Sequence, residues 1–128
     1  MDSQKEKKAW RGVGHRERFL NAFRGMRVFW LAANNLFVGV SVLAILTVVL
    51  GGFYFQISEV EWVAVIFAIG LVIVSEVFNT AIEIDIDLTS PEYHPYARDT
   101  KDVAAAAVVL SVLVSFIIGL IIFLPKIF

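Results

Sequence analysis

Apolar residues gather in three long stretches separated by short polar segments. Residues 36–55 hold no charge, enough for one crossing of a ~30 Å hydrocarbon core at ~1.5 Å per residue. Residues 62–82 predict a second crossing, interrupted by Glu76 and Asn79, and residues 103–124 a third without charge. Gly51 and Gly52 near the end of the first predict a bend or close packing. Tyr54, Phe55 and Trp62 stand where interfacial aromatics belong. Ahead of the spans, Phe19, Leu20, Phe23, Met26, Val28, Phe29 and Trp30 alternate with Arg16, Arg18, Asn21, Arg24 and Arg27. That pattern, over residues 16–33, predicts an amphipathic helix on an anionic leaflet. Residues 1–15 predict a basic mobile tail, and residues 16–128 one membrane-embedded domain. The fold class is all-α integral membrane: an N-terminal interfacial helix plus three transmembrane helices.

Composition agrees. Of 128 residues 59% are hydrophobic, with mean hydropathy +0.77, more than a soluble domain this small can bury. There is no cysteine, which excludes disulfides and thiolate chemistry. No signal peptide is expected, because the first apolar run is too long and lacks a clear cleavage site. Basic side chains are polarised: Lys5, Lys7, Lys8, Arg11, Arg16, Arg18, Arg24 and Arg27 precede the first span, and none lies in residues 28–97. The loop before the second span has acids only, the next holds Arg98 and Lys101, and Lys126 follows the third. Basic loops stay inside, so the N-terminus is expected in the cytoplasm and the C-terminus outside.

The chemistry concentrates on the second span. Glu76, Asn79, Glu83 and Asp87 lie at offsets of 0, 3, 7 and 11, a narrow stripe at 100° per residue. Asp85 faces the other way, as a solvated interfacial acid. An uncompensated acid within a span costs roughly 2.5–3.5 kcal/mol on insertion scales, so such acids face partners, water or substrate. A single buried polar group is often only a helix–helix hydrogen bond. Four on one stripe call for a cation, and hard oxygen ligands suit Mg²⁺, which arrives with phosphate oxygens. The segment from Ser90 through Glu92 and His94 to Pro95 predicts a turn, with Arg98, Lys101 and Asp102 beyond it. Lysine and arginine beside carboxylates can bind a triphosphate. A glycine-rich phosphate loop is absent. The alanines at 104–107 point to close helix packing.

Residues 76–87 (EVFNTAIEIDID) and 90–108 (SPEYHPYARDTKDVAAAAV) resemble the prokaryotic diacylglycerol kinase family, which includes undecaprenol kinases. They match E-x-x-N-[ST]-A-I-E-x-x-x-D followed by K-D-x-x-x-[AG]-A. The resemblance implies a homotrimer in a bacterial-type plasma membrane, with ATP and Mg²⁺ on the cytoplasmic side and a lipid alcohol from the bilayer. It implies no nucleic-acid partner. By position Glu76 is the base that takes the hydroxyl proton and Glu83 the metal ligand. Asn79, Glu83, Asp87, Glu92, His94, Lys101 and Asp102 form the nucleotide site. Ala33 and Phe37 stand where the family usually has a glutamate metal ligand and an arginine, and Asn21 where an aromatic nucleotide contact is frequent. Asn34 or Asn35 can replace that glutamate only with a neutral oxygen.

The expected function is therefore ATP-dependent phosphorylation of a membrane lipid alcohol, diacylglycerol or undecaprenol, in phospholipid or polyprenyl-phosphate metabolism. The alternative is a catalytically weakened member that binds lipid or nucleotide, because Ala33 replaces a ligand. An ion pathway along the stripe is a third class, which leaves Lys101 and Asp102 without a purpose.

Overall fold

The computed structural model of the chain describes Gln4 and residues 14–128. The tail expected over residues 1–15 therefore lies outside the described residues, apart from Gln4, Gly14 and His15. Among the described residues from His15 onward lie the helices α1 (His15–Ala32), α2 (Asn35–Tyr54), α3 (Glu59–Thr89) and α4 (Pro95–Ile127). They fall into two units, Met1–Ala32 and Ala33–Phe128.

Helix α1 opens with the Glu17 carboxylate accepting from the Gly14 N–H at 3.3 Å, an acid placed where the helix dipole favours it. Phe19, Phe23, Met26 and Trp30 follow at offsets of 0, 4, 7 and 11 and are all exposed. The Phe19 and Phe23 rings meet edge to face at 5.2 Å.

In the second unit, α2, α3 and α4 are each long and apolar enough to cross a membrane. Helix α2 is capped by Asn34, whose Oδ1 accepts from the N–H groups of Leu36 (2.9 Å) and Phe37 (3.3 Å), satisfying donors that a helix start leaves free. At its other end the Ile57 N–H reaches the Gly52 carbonyl and the Gln56 N–H the Phe53 carbonyl, a Schellman arrangement. Gln56 takes the left-handed position at φ 49°. The expected close packing at the glycine pair is present at Gly52, where a Cβ would stand 2.6 Å from Trp62 Cη2.

Helix α3 begins with a capping box. The Glu61 carboxylate accepts from the Ser58 N–H at 2.7 Å, and Ser58 Oγ accepts from the Glu61 N–H at 3.3 Å. Its 31 residues carry it seven residues past the expected end of the second span. Nothing between Glu83 and Thr89 breaks a helix, and Pro91 disfavours helical backbone at Ser90. His94 then caps α4 and Pro95 opens it, the favoured place for proline, eight residues ahead of the expected third span. The turn expected at residues 90–95 thus occupies residues 90–94.

Helices α3 and α4 pack along each other, while α2 meets α3 only sparsely. On α4 the buried residues Ala97, Ala104 and Ser111 recur every seven positions, small side chains that let backbones approach. Of the alanines at 104–107, Ala104 alone is buried. Three ties fix the register: Lys101 to Asp87, Ser115 Oγ donating to the Ala68 carbonyl at 2.9 Å, and Lys126 to Glu61 at 2.9 Å. The buried core is Ile57, Val65 and Ile122, with Val48, Phe55, Trp62 and Phe123 around it. It sits at the end opposite the acidic stripe.

Candidate functional site

The face that α3 turns toward α4 carries Val65, Ala68, Glu76, Asn79 and Thr80 as its buried positions. The helical repeat that builds the apolar contact therefore continues into acids and amides without a break in register. Glu76 and Asn79 are 7% and 8% exposed, while Glu83 and Asp87, one and two turns further on, are exposed. The stripe grades from covered to open along one helix.

Two pairs come together. Asn79 Nδ2 donates to Glu83 Oε1 at 3.2 Å, four residues on, which fixes the amide against the carboxylate. Lys101 Nζ binds Asp87 Oδ1 across the α3–α4 turn. This pair is solvent-screened, with Asp87 the more open partner, so it orients Lys101 more than it stabilises the fold. Asn79 Oδ1 is left buried without a hydrogen-bond partner, a state that costs about 1–3 kcal/mol.

The remaining expected site residues stand apart. Glu92 and Asp102 are exposed. His94 serves first as the cap of α4, its Nδ1 accepting from the Tyr96 N–H at 3.3 Å. Among the described residues no hydrogen bond or ion pair joins Glu92, His94 or Asp102 to the stripe. Asp85 is exposed, as expected of a solvated acid, and its carbonyl accepts from Thr89 Oγ1. Arg98 pairs with Asp99 and reaches Tyr93 Oη.

Asn34, one of the two asparagines expected as a neutral substitute near Ala33, has its Oδ1 engaged in capping α2. The signal was legible, since asparagine directly before an apolar run is an N-cap pattern. Thr80, buried beside Asn79, carries no signal in the spacing beyond its place on the packed face. Ser115 shows only once α4 is set against α3.

The residues fit a hard divalent cation that brings ligands with it. Glu83 would supply carboxylate oxygen, and Asn79 Oδ1 is a buried acceptor without a donor. Among the described residues no group of three His, Cys, Asp or Glu can hold an ion. Mg²⁺ usually takes one or two carboxylates plus water and phosphate oxygens, and the set agrees with that habit.

A family described as prokaryotic diacylglycerol kinase matches residues 20–123. The chain is 44% identical over 79 residues to a Bacillus subtilis undecaprenol kinase, covering 62% of this chain and 64% of that protein. It is 34% identical over 83 residues to a Helicobacter pylori diacylglycerol kinase (65% of this chain, 63% of that protein). With the Escherichia coli diacylglycerol kinase it shares 28% over 96 residues, 75% of this chain and 77% of that protein. The Bacillus and Helicobacter matches thus span a little under two thirds of those proteins' own length. No solved structure matches the chain.

Proposed function

The chain belongs to the prokaryotic diacylglycerol kinase family, and from that premise we propose that it transfers the γ-phosphoryl group of ATP to the hydroxyl of a membrane lipid, diacylglycerol or undecaprenol. The hydroxyl oxygen attacks the γ-phosphorus, the bond to the ADP oxygen breaks, and the hydroxyl proton passes to Glu76. A general base must sit within reach of that hydroxyl. Glu76 is the acid of the stripe set deepest in α3, on a helix able to cross the membrane. Seven residues on, ~10 Å along the axis, Glu83 faces the phosphates, with its bonded partner Asn79 between the two acids. Asp87 holds Lys101 at the same end of the hairpin, where its charge meets the triphosphate. Mg²⁺ bound with ATP supplies neutralisation of the phosphate charge, with Glu83 as its carboxylate ligand. Glu92, His94 and Asp102 complete the nucleotide side from the loop and the first turns of α4.

The proposal includes the setting. The basic N-terminal segment is cytoplasmic and the C-terminus external in a bacterial-type plasma membrane. The exposed stripe Phe19, Phe23, Met26 and Trp30 lies on the lipid surface, and residues 16–128 form one lipid kinase domain that works as a homotrimer. The wide exposed apolar surface of α2, with Leu43, Leu46 and Leu50, supports burial against lipid or other copies.

The observation that carries the reading is the continuation of the α3 packing face into Glu76, Asn79 and Glu83. A helix gains nothing structural from acids there, and uncompensated they are costly. The test is purified protein in mixed micelles with γ-labelled ATP, Mg²⁺ and each lipid in turn. Label in lipid phosphate is expected with one or both alcohols and none without Mg²⁺. A second reading, binding without efficient turnover, is favoured by Ala33 and by the engagement of Asn34 in its cap. Retained nucleotide binding with no labelled lipid selects it.

A further inference from the structure

We propose that Asn79 is itself a ligand of the divalent cation, its amide turning over to present Oδ1 beside Glu83. The protein's own donors are then one carboxylate and one neutral oxygen. The inference rests on the phosphoryl-transfer reading and names a ligand within that site.

Asn79 is more than nine-tenths buried. Its Nδ2 donates to Glu83 Oε1, while its Oδ1 has no partner. Turning the amide by 180° exchanges one unpaired buried atom for another, so it gives up only the bond to Glu83. It also brings Oδ1 next to Glu83 Oε1 at the separation the nitrogen now has, 3.2 Å. Adjacent oxygens around Mg²⁺ at ~2.1 Å stand ~3 Å apart. Two oxygens at that spacing repel each other unless a cation lies between them. The amide therefore has two orientations, nitrogen toward Glu83 without the cation and oxygen toward it with the cation.

The other oxygen groups have other roles, Glu76 being the group assigned to the substrate hydroxyl in the proposed transfer. Asp87 is bound by Lys101, Asn34 caps α2, and position 33 is an alanine. With a single negative charge among its ligands, the site binds the cation weakly on its own, since charge count sets affinity. The cation then arrives with the nucleotide, whose phosphates supply the missing charge.

Mn²⁺ binding to the full chain in detergent micelles, read as loss of the free-ion paramagnetic resonance signal beyond that of matched protein-free solutions, tests this with and without the non-hydrolysable analogue AMP-PNP. Wild type is expected to take up Mn²⁺ only with AMP-PNP. Asn79→Asp keeps the shape and adds a charge, and is expected to bind Mn²⁺ alone at least about tenfold more tightly than wild type. Asn79→Ala is expected to lose about tenfold of the nucleotide-dependent Mn²⁺ affinity, a larger loss than that of AMP-PNP affinity measured in EDTA. Mn²⁺ binding by Asn79→Asp equal to wild type, or unchanged nucleotide-dependent binding by Asn79→Ala, overturns the assignment. If Asn79→Asp does not fold, Asn79→Ala carries the test. Failure of the kinase reading looks different: AMP-PNP then binds neither with nor without Mn²⁺, while the gain in Asn79→Asp still decides the ligand.

Discussion

At one end of the α3–α4 pair, Ile57, Val65 and Ile122 are buried among Phe55, Trp62 and Phe123, and Lys126 meets Glu61 at the rim. At the other end the same face of α3 carries Glu76, Asn79 and Glu83, with an unpaired amide oxygen at its centre. The first end satisfies its groups locally: the Ser58–Glu61 capping box, the Schellman close at Gln56 and a ring packed on Gly52. The second leaves the buried Asn79 Oδ1 unsatisfied. On the proposed kinase reading, this incomplete polar face is where stability yields to chemistry.

Breaking the second end is expected to have the largest effect. Glu76→Gln should lower phosphoryl transfer by about 10²–10⁴-fold, the usual weight of a general base, with nucleotide affinity retained. Kinetics on labelled ATP together with AMP-PNP titration separate the two. Glu83→Gln should raise the dissociation constant for nucleotide with Mg²⁺ about 10–100-fold and leave binding in EDTA unchanged, as titrations with and without metal will read.

Changes at the first end should alter stability and spare chemistry. Gly52→Ala drives a methyl into the Trp62 ring and should cost about 1–3 kcal/mol, seen as a lower midpoint of thermal unfolding in micelles at unchanged activity per folded molecule. Gln56→Gly should stabilise by about 1 kcal/mol, because the left-handed backbone there suits glycine, and the same melting curve shows it. Smallest is Lys126→Met, which removes a partly exposed ion pair and should cost up to ~1 kcal/mol. A large loss of transfer in Gly52→Ala at full folding would erase the contrast between the ends.

The three long helices were legible because two charge-free runs of twenty residues or more, and a third apolar run with Glu76 its only charge, have few other uses. Their ends were less so: α3 runs on through Glu83–Asp87 and α4 starts at Pro95, since hydropathy marks the membrane and not the helix. The stripe from Glu76 to Asp87 was legible from period alone. Its internal pairing was not, because whether Asn79 bonds Glu83, or Asp87 finds Lys101, depends on rotamers and on how α4 folds back. His94 and Asn34 show the same limit. Each side chain can ligate or cap, and only the adjoining N–H groups decide.

The most direct test of the division between the two ends is the rate of label transfer from γ-labelled ATP to lipid by Glu76→Gln, beside wild type, in mixed micelles at saturating ATP, Mg²⁺ and lipid. The account predicts a wild type that forms lipid phosphate and a variant that binds nucleotide equally well yet transfers at least about a hundredfold more slowly. Transfer by Glu76→Gln at the wild-type rate would contradict it and return the acids of α3 to a structural role.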